Sequence, residues 1–156
     1  MKCFIEKIIF ISVIVMTISC KSISVKEKDI SYVMVYDQEN NGVMDAKIFV
    51  GEEEMGKTDV YGKFFFLIPR DIDETKTVRV EKAGYETSIL RARLVHGSLL
   101  YFRLFSSMHY AREAEKLLDS RKYNEALLMI EKALKIERER KDYKLLKEVI
   151  ELKVES

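Results

Sequence analysis

The sequence predicts an α+β chain in which an antiparallel β-sandwich of about seven strands precedes a short tail of three helices. Two observations predict it. All six glycines and the only proline, Pro69, fall between Gly42 and Gly97, and no breaker residue follows Ser98. Over residues 30–105, short runs rich in Val, Ile, Phe and Tyr alternate with turn signals at the spacing of a sandwich. Beyond that point apolar residues recur at helical intervals.

Residues 1–19 read as a signal peptide. Lys2 and Lys7 give a positive start, and the run 8–18 is apolar. Such a run suits a signal sequence, which needs only ~7–15 apolar residues, but not a membrane span, which needs ~20. An uncleaved N-terminal anchor is the alternative, although Lys21, Lys26 and Lys28 stop the apolar run from extending. The segment Thr17-Ile18-Ser19-Cys20 resembles a bacterial lipobox, with Thr17 where leucine is usual. The resemblance implies lipidation of Cys20, cleavage before it, and a membrane anchor of several acyl chains, each methylene contributing ~0.8 kcal/mol. Residues 20–29, rich in Ser and Lys, read as a tether.

The strands follow in order. Residues 32–36 form the first, and Asn40-Asn41-Gly42 turns the chain because Asn-Gly tolerates positive φ. Residues 46–50 come next. Glu52-Glu53-Glu54 reads as a solvated loop. Asp59-Val60-Tyr61-Gly62 turns into 63–68, which Pro69 ends because proline cannot donate to a ladder. Val78 and Val80 alternate with Arg79 and Glu81 in a half-buried strand. Gly84 breaks the run before 87–94, and 99–105 closes the set.

Three segments together resemble the carboxypeptidase regulatory-like domain: Asn41-Gly42-Val43-Met44-Asp45-Ala46-Lys47-Ile48-Phe49-Val50, then Gly56-Lys57-Thr58-Asp59-Val60-Tyr61-Gly62-Lys63-Phe64-Phe65-Phe66, then Val80-Glu81-Lys82-Ala83-Gly84-Tyr85-Glu86. They cover about half the chain, and related PEGA domains share the Gly-Tyr element. The resemblance implies a transthyretin- or immunoglobulin-like sandwich over 30–105, used as a structural or binding module in secreted and surface proteins. Good turn chemistry alone would account for Thr58, Asp59 and Gly62, and core packing for Tyr85. The Lys-Asn isopeptide bond of one cousin of this fold is not expected, since Asn40, Asn41 and Asn124 all lie outside the final strand.

In the tail, 106–156, Ser106 or Ser107 can cap a helix whose Ala111, Ala114, Leu117 and Leu118 share a face. A second helix starts near Asn124, with Ala126, Ile130, Ala133 and Leu134 on one face. A third runs from about Tyr143 and is expected to bury Leu146, Val149 and Ile150. Ala114, Leu117, Tyr123, Ala126, Ile130 and Ala133 resemble one tetratricopeptide repeat, with Arg121 in place of the turn glycine and Arg138 in place of the closing proline. A peptide groove needs ~3 stacked repeats, so one unit would bind through a face, through an oligomer, or only pack on the sandwich.

Composition narrows the function. Lys and Arg number 27 against 26 acidic residues. That balance is too even for a phosphate-binding face or for polybasic attraction to lipid. Cys3 and Cys20 are the only cysteines and both precede the folded region, which excludes a disulfide framework and a thiolate zinc site; His96 and His109 are too far apart to supply a close pair. Asp37, Glu39, Asn41 and Gly42 mimic the start of a calcium loop, but its closing glutamate position holds Ile48. Neither a nucleophile with its base nor a phosphate loop is visible. The expectation is a non-enzymatic envelope lipoprotein with no cofactor, metal or nucleic acid, anchored at Cys20 with the outer membrane favoured, and binding an envelope protein through its helical tail. A purely structural lipoprotein is the alternative, and an enzyme accessory domain or an enzyme comes after it.

Overall fold

The computed structural model describes residues 28–69, 74–95 and 97–155; the predicted signal peptide, Cys20, residues 21–27 and His96 lie outside them. Among the described residues the chain runs β1 (Lys28–Asp37), β2 (Lys47–Val50), β3 (Glu53–Lys57), β4 (Lys63–Pro69), β5 (Glu74–Glu81), β6 (Ser88–Leu94), β7 (Leu99–Leu104), α1 (Ser107–Asp119), α2 (Tyr123–Ile136) and α3 (Lys141–Val154). The strands form two sheets, β4-β1-β7 and β3-β2-β5-β6. This is the predicted α+β chain with its helices at the C-terminal end.

Period-two alternation explains how the sheets share a core. Val33 and Val35 of β1, Phe66 of β4, and Leu100, Phe102 and Leu104 of β7 point inward. They meet Ile48, Val78, Val80 and Leu94 from the other sheet in one apolar cluster.

Two strand expectations are corrected. The sandwich is not wholly antiparallel, because β1 pairs in parallel with β7, Tyr32 opposite Leu99 through Asp37 opposite Leu104. Nor is the glutamate run a loop throughout: Glu53 and Glu54 open β3, which pairs antiparallel with β2 and shows a register irregularity between Ile48 and Phe49. Exposed charge along an edge strand deters pairing with another chain, so a signal read as solvation belongs to a strand.

The first two glycine-bearing segments cross. A Cβ on Gly42 would lie 2.3 Å from the Tyr61 carbonyl oxygen, and one on Gly62, at φ +74°, would lie 2.2 Å from that of Val35. Gly42 is therefore required by close approach, whereas the positive φ of its turn falls on Asn40, at 66°. Thr58 is buried at the same crossing: its hydroxyl accepts from the Ala46 amide at 2.9 Å and donates to the Val43 carbonyl at 2.5 Å.

Alanines let the helices of the tail approach closely. Ala111 and Ala114 of α1 cluster with Ala126, Ile130 and Ala133 of α2, and with Tyr143 and Ile150 of α3. Ser106 is the N-cap of α1, its hydroxyl accepting from the His109 amide at 3.1 Å. The α1 C-terminus closes with Lys122 N–H donating to Leu117 O at 2.8 Å and Arg121 N–H to Leu118 O at 3.0 Å. That is a Schellman arrangement, and Arg121 occupies its left-handed position at φ 58°. Val149 departs from expectation: α3 turns Tyr143, Leu146 and Ile150 to its neighbours and leaves Val149 exposed.

Candidate functional site

Among the described residues, a sheet and a helix each carry an exposed apolar face, and each face follows from the way its element is seated. The first is the outer face of the three-stranded sheet. Because Val33, Val35, Phe66, Leu100 and Phe102 point inward, their neighbours must point out. Ile30, Tyr32, Phe65, Leu67, Leu99 and Tyr101 are all exposed, Phe65 by 63% and Tyr101 by 61%. They are contiguous: Ile30 pairs with Leu67, and Tyr32 sits between Phe65 and Leu99. Tyr36 extends the face by stacking on Tyr101, ring centroids 6.5 Å apart. At the same end Met34 lies between Lys63 and Tyr101, and Tyr36 beside Arg103. No acidic side chain belongs to this outward set.

The second surface is a ridge on α3. Leu145, Val149 and Leu152 recur at helical spacing, with Leu145 62% and Leu152 68% exposed. The ridge is held by a polar clamp where the three helices meet. The Ser107 hydroxyl at the start of α1 bonds to the Glu137 carboxylate and lies 3.4 Å from the Tyr143 hydroxyl. Arg140 donates to Glu137 at 3.0 Å and stacks 4.3 Å over the Tyr143 ring. The Ser107 bond, with help from Arg140, holds the Glu137 carboxyl below its ordinary pKa.

A junction fixes the tail on the sandwich. Ser107 N–H donates to Gly84 O and Glu86 N–H to Phe105 O, each at 2.9 Å. The Tyr110 hydroxyl donates to the Glu86 carboxylate at 2.5 Å. Burial, reinforced by that bond, pushes the Tyr110 pKa up to about 12. The third glycine-bearing segment thus serves as a seat for α1. Beside it lies an open cleft of about 470 Å³ whose charged lining includes Lys82, Glu86, Lys132 and Lys135.

The residues singled out from the sequence divide accordingly. Cys20 lies outside the described residues. The Asp37 carboxylate serves its own turn: one oxygen accepts from the Glu39 and Asn41 amides at 2.8 Å each, the other from the Asn41 side chain at 3.1 Å. Among the described residues no cluster of three or more His, Cys, Asp or Glu is placed to hold a metal, no buried polar side-chain atom lacks a partner, and no helix is long and apolar enough to cross a membrane.

Sequence reasoning looked for a binding surface in the tail and missed the exposed apolar face of the sheet. The signal was present. The segments 32–36 and 64–68 are unbroken apolar runs, a pattern expected of strands whose two faces both leave water.

No protein-family model and no curated protein sequence matches the chain. Solved structures with some likeness include two interface mutants of a type II cohesin–X-dockerin complex from Acetivibrio cellulolyticus, at TM-scores of 0.42 and 0.41 and identities of 13% and 14%. The matches cover 50% and 51% of this chain, which spans 58% of the length of each of those chains. The Bacillus anthracis TIE protein matches at a TM-score of 0.39 and 12% identity, over 51% of this chain and 16% of that one. Likenesses of this strength carry no argument about function.

Proposed function

We propose that the protein is a non-catalytic lipoprotein of the bacterial envelope, anchored through acylated Cys20, whose sandwich acts as a base and whose helical tail docks another envelope protein. The observation that carries this reading is the exposed ridge of Leu145, Val149 and Leu152, presented on a tail held to the sandwich at Gly84, Glu86 and Phe105. Exposed apolar side chains in a row are the usual anchors of a helix-in-groove or helix-on-helix contact. The crossing of the Gly42 and Gly62 turns supports a domain of the carboxypeptidase regulatory-like kind, since it gives two of the three segments a shared steric reason. The alanine-lined α1–α2 pair supports a single tetratricopeptide-like unit.

Crosslinking in intact cells, comparing the natural chain with Leu145→Glu/Leu152→Glu, tests the docking. Both positions are exposed, so the fold is kept; a specific crosslinked partner is expected to be lost in the variant. A partner retained at full yield, or loss of envelope integrity on deletion with no partner at all, would sink this reading and leave a structural role. Intact mass of the membrane-extracted chain beside Cys20→Ala reads the anchor directly.

A further inference from the structure

We propose that the outer face of the three-stranded sheet lies on the membrane interface, so that the lipid bilayer is its partner. The inference rests on the anchor at Cys20 and goes beyond it by assigning a second, non-covalent contact.

Three observations converge on a lipid surface. First, the residue types fit an interface where hydrocarbon gives way to headgroups. Tyr32, Tyr36 and Tyr101 combine an apolar ring with a polar tip, and Ile30, Phe65, Leu67 and Leu99 supply apolar area beside them. Contiguous apolar exposure of this extent marks an interaction surface.

Second, the charges on the face have one sign. Among the residues whose side chains are described, Lys63 and Arg103 are the ionic residues of the face, and neither is engaged by a carboxylate among the described residues: Lys63 lies 5.8 Å from the Tyr61 ring and Arg103 donates to the Asn40 side-chain oxygen at 3.0 Å. Two cations at the rim of an apolar face complement anionic headgroups. The even charge of the whole chain excludes a polybasic mode, so apolar insertion supplies the attraction and the cations orient it.

Third, the anchor feeds this sheet. Only residues 21–27 separate Cys20 from Lys28, the first residue of β1 and hence of the sheet that bears the face. At ~3.3–3.6 Å per residue that link reaches at most about 29 Å. A tether this short gives the face an effective concentration in the millimolar range at the bilayer, so a contact far too weak to recruit a free protein is occupied once the anchor is in place. The four-stranded sheet and the tail are then left free for the protein partner.

The test replaces Tyr101, or Arg91 on the outer face of the opposite sheet, with a genetically encoded coumarin amino acid in the full chain. The membrane-extracted protein is reconstituted in nanodiscs of phosphatidylethanolamine and phosphatidylglycerol holding one copy each. Iodide quenching is expected to be at least threefold weaker at 101 than at 91, and to become equal when detergent replaces the bilayer. Equal quenching in the nanodisc would overturn the proposal. So would shielding at 101 that is absent from single-copy nanodiscs and arises only in crowded vesicles, which would assign the face to a second copy. Intact mass of the same sample reads the anchor separately. If Cys20 carries no lipid, its thiol is coupled to a maleimide-bearing lipid and the quenching repeated, so the anchor can fail while the face is still judged.

Discussion

On the outer face of the four-stranded sheet, Thr77, Arg79, Glu81 and Arg91 stand at the positions that alternate with the core, Arg79 pairing with Glu81 and lying 4.1 Å over the Phe49 ring. On the outer face of the three-stranded sheet the corresponding positions hold Tyr32, Phe65, Leu99 and Tyr101. The two sheets share one core and obey the same alternation, yet only the four-stranded one presents the mostly polar exterior of a sheet that faces water, with Ile89 as its exposed apolar residue. Apolar residues in the second are therefore not explained by folding, since folding leaves them exposed. What they share with the core is chemistry, and what separates them from it is position.

Adjacent residues of β7 offer the sharpest way to break this contrast. Phe102→Ala empties a position 3% exposed and should destabilise the chain by about 3–5 kcal/mol. Tyr101→Ala, one residue away, should cost about 1 kcal/mol or less, the stacking on Tyr36 being its main intramolecular contact. Urea unfolding of both variants decides it; comparable losses would make the outer face part of the folding core.

A smaller effect, confined to alkaline pH, concerns the junction with the tail. Tyr110 titrates higher in the folded chain than its ordinary value of 10.0, so the unfolded chain loses that proton first as pH rises. Its contribution to stability is complete below pH 10 and lost between 10 and about 12. Stability against pH should fall more steeply over that window in the natural chain than in Tyr110→Phe. Parallel curves would mean that the hydroxyl does not hold α1 to Glu86.

The smallest effect should be a gain. Arg121 sits at φ 58°, where a Cβ is strained, and Arg121→Gly is expected to stabilise the tail by about 0.5–1 kcal/mol after the entropy of glycine in the unfolded chain is offset. Thermal unfolding followed by helical circular dichroism would register it, and a lower midpoint would refute it.

Much of the fold was legible because it depends on nearest neighbours. Val78 and Val80 announced their burial by alternation, Ser106 its cap by chemistry, and Ala114, Ala126 and Ala133 their helix contact by spacing. The parallel pairing of β1 with β7 was not legible, since period-two patterns carry no direction and a crossover between sheets leaves no local mark. β3 was hidden because Glu53 and Glu54 guard an edge in the same residue types that fill a loop. The Ser107–Glu137–Arg140 clamp joins the start of one helix to the end of another, an encounter that only tertiary packing creates. Half of the candidate site was visible as apolar runs without being recognisable as exposed, because hydrophobicity reports the preference of a side chain and not whether a partner has met it.

The parallel β1–β7 pair also orders events in time. The first of the described strands lies at the centre of its sheet and is completed by the last of them; Ser31 and Val95, which share a hydrogen bond, are 64 residues apart. A growing chain can form the β2–β3 hairpin and the β1–β4 pair early, but one edge of β1 stays unpaired until β7 has emerged, and closing so long a loop is slow. A chain cut short after β6 would therefore present the uncovered edge of β1 to its neighbours.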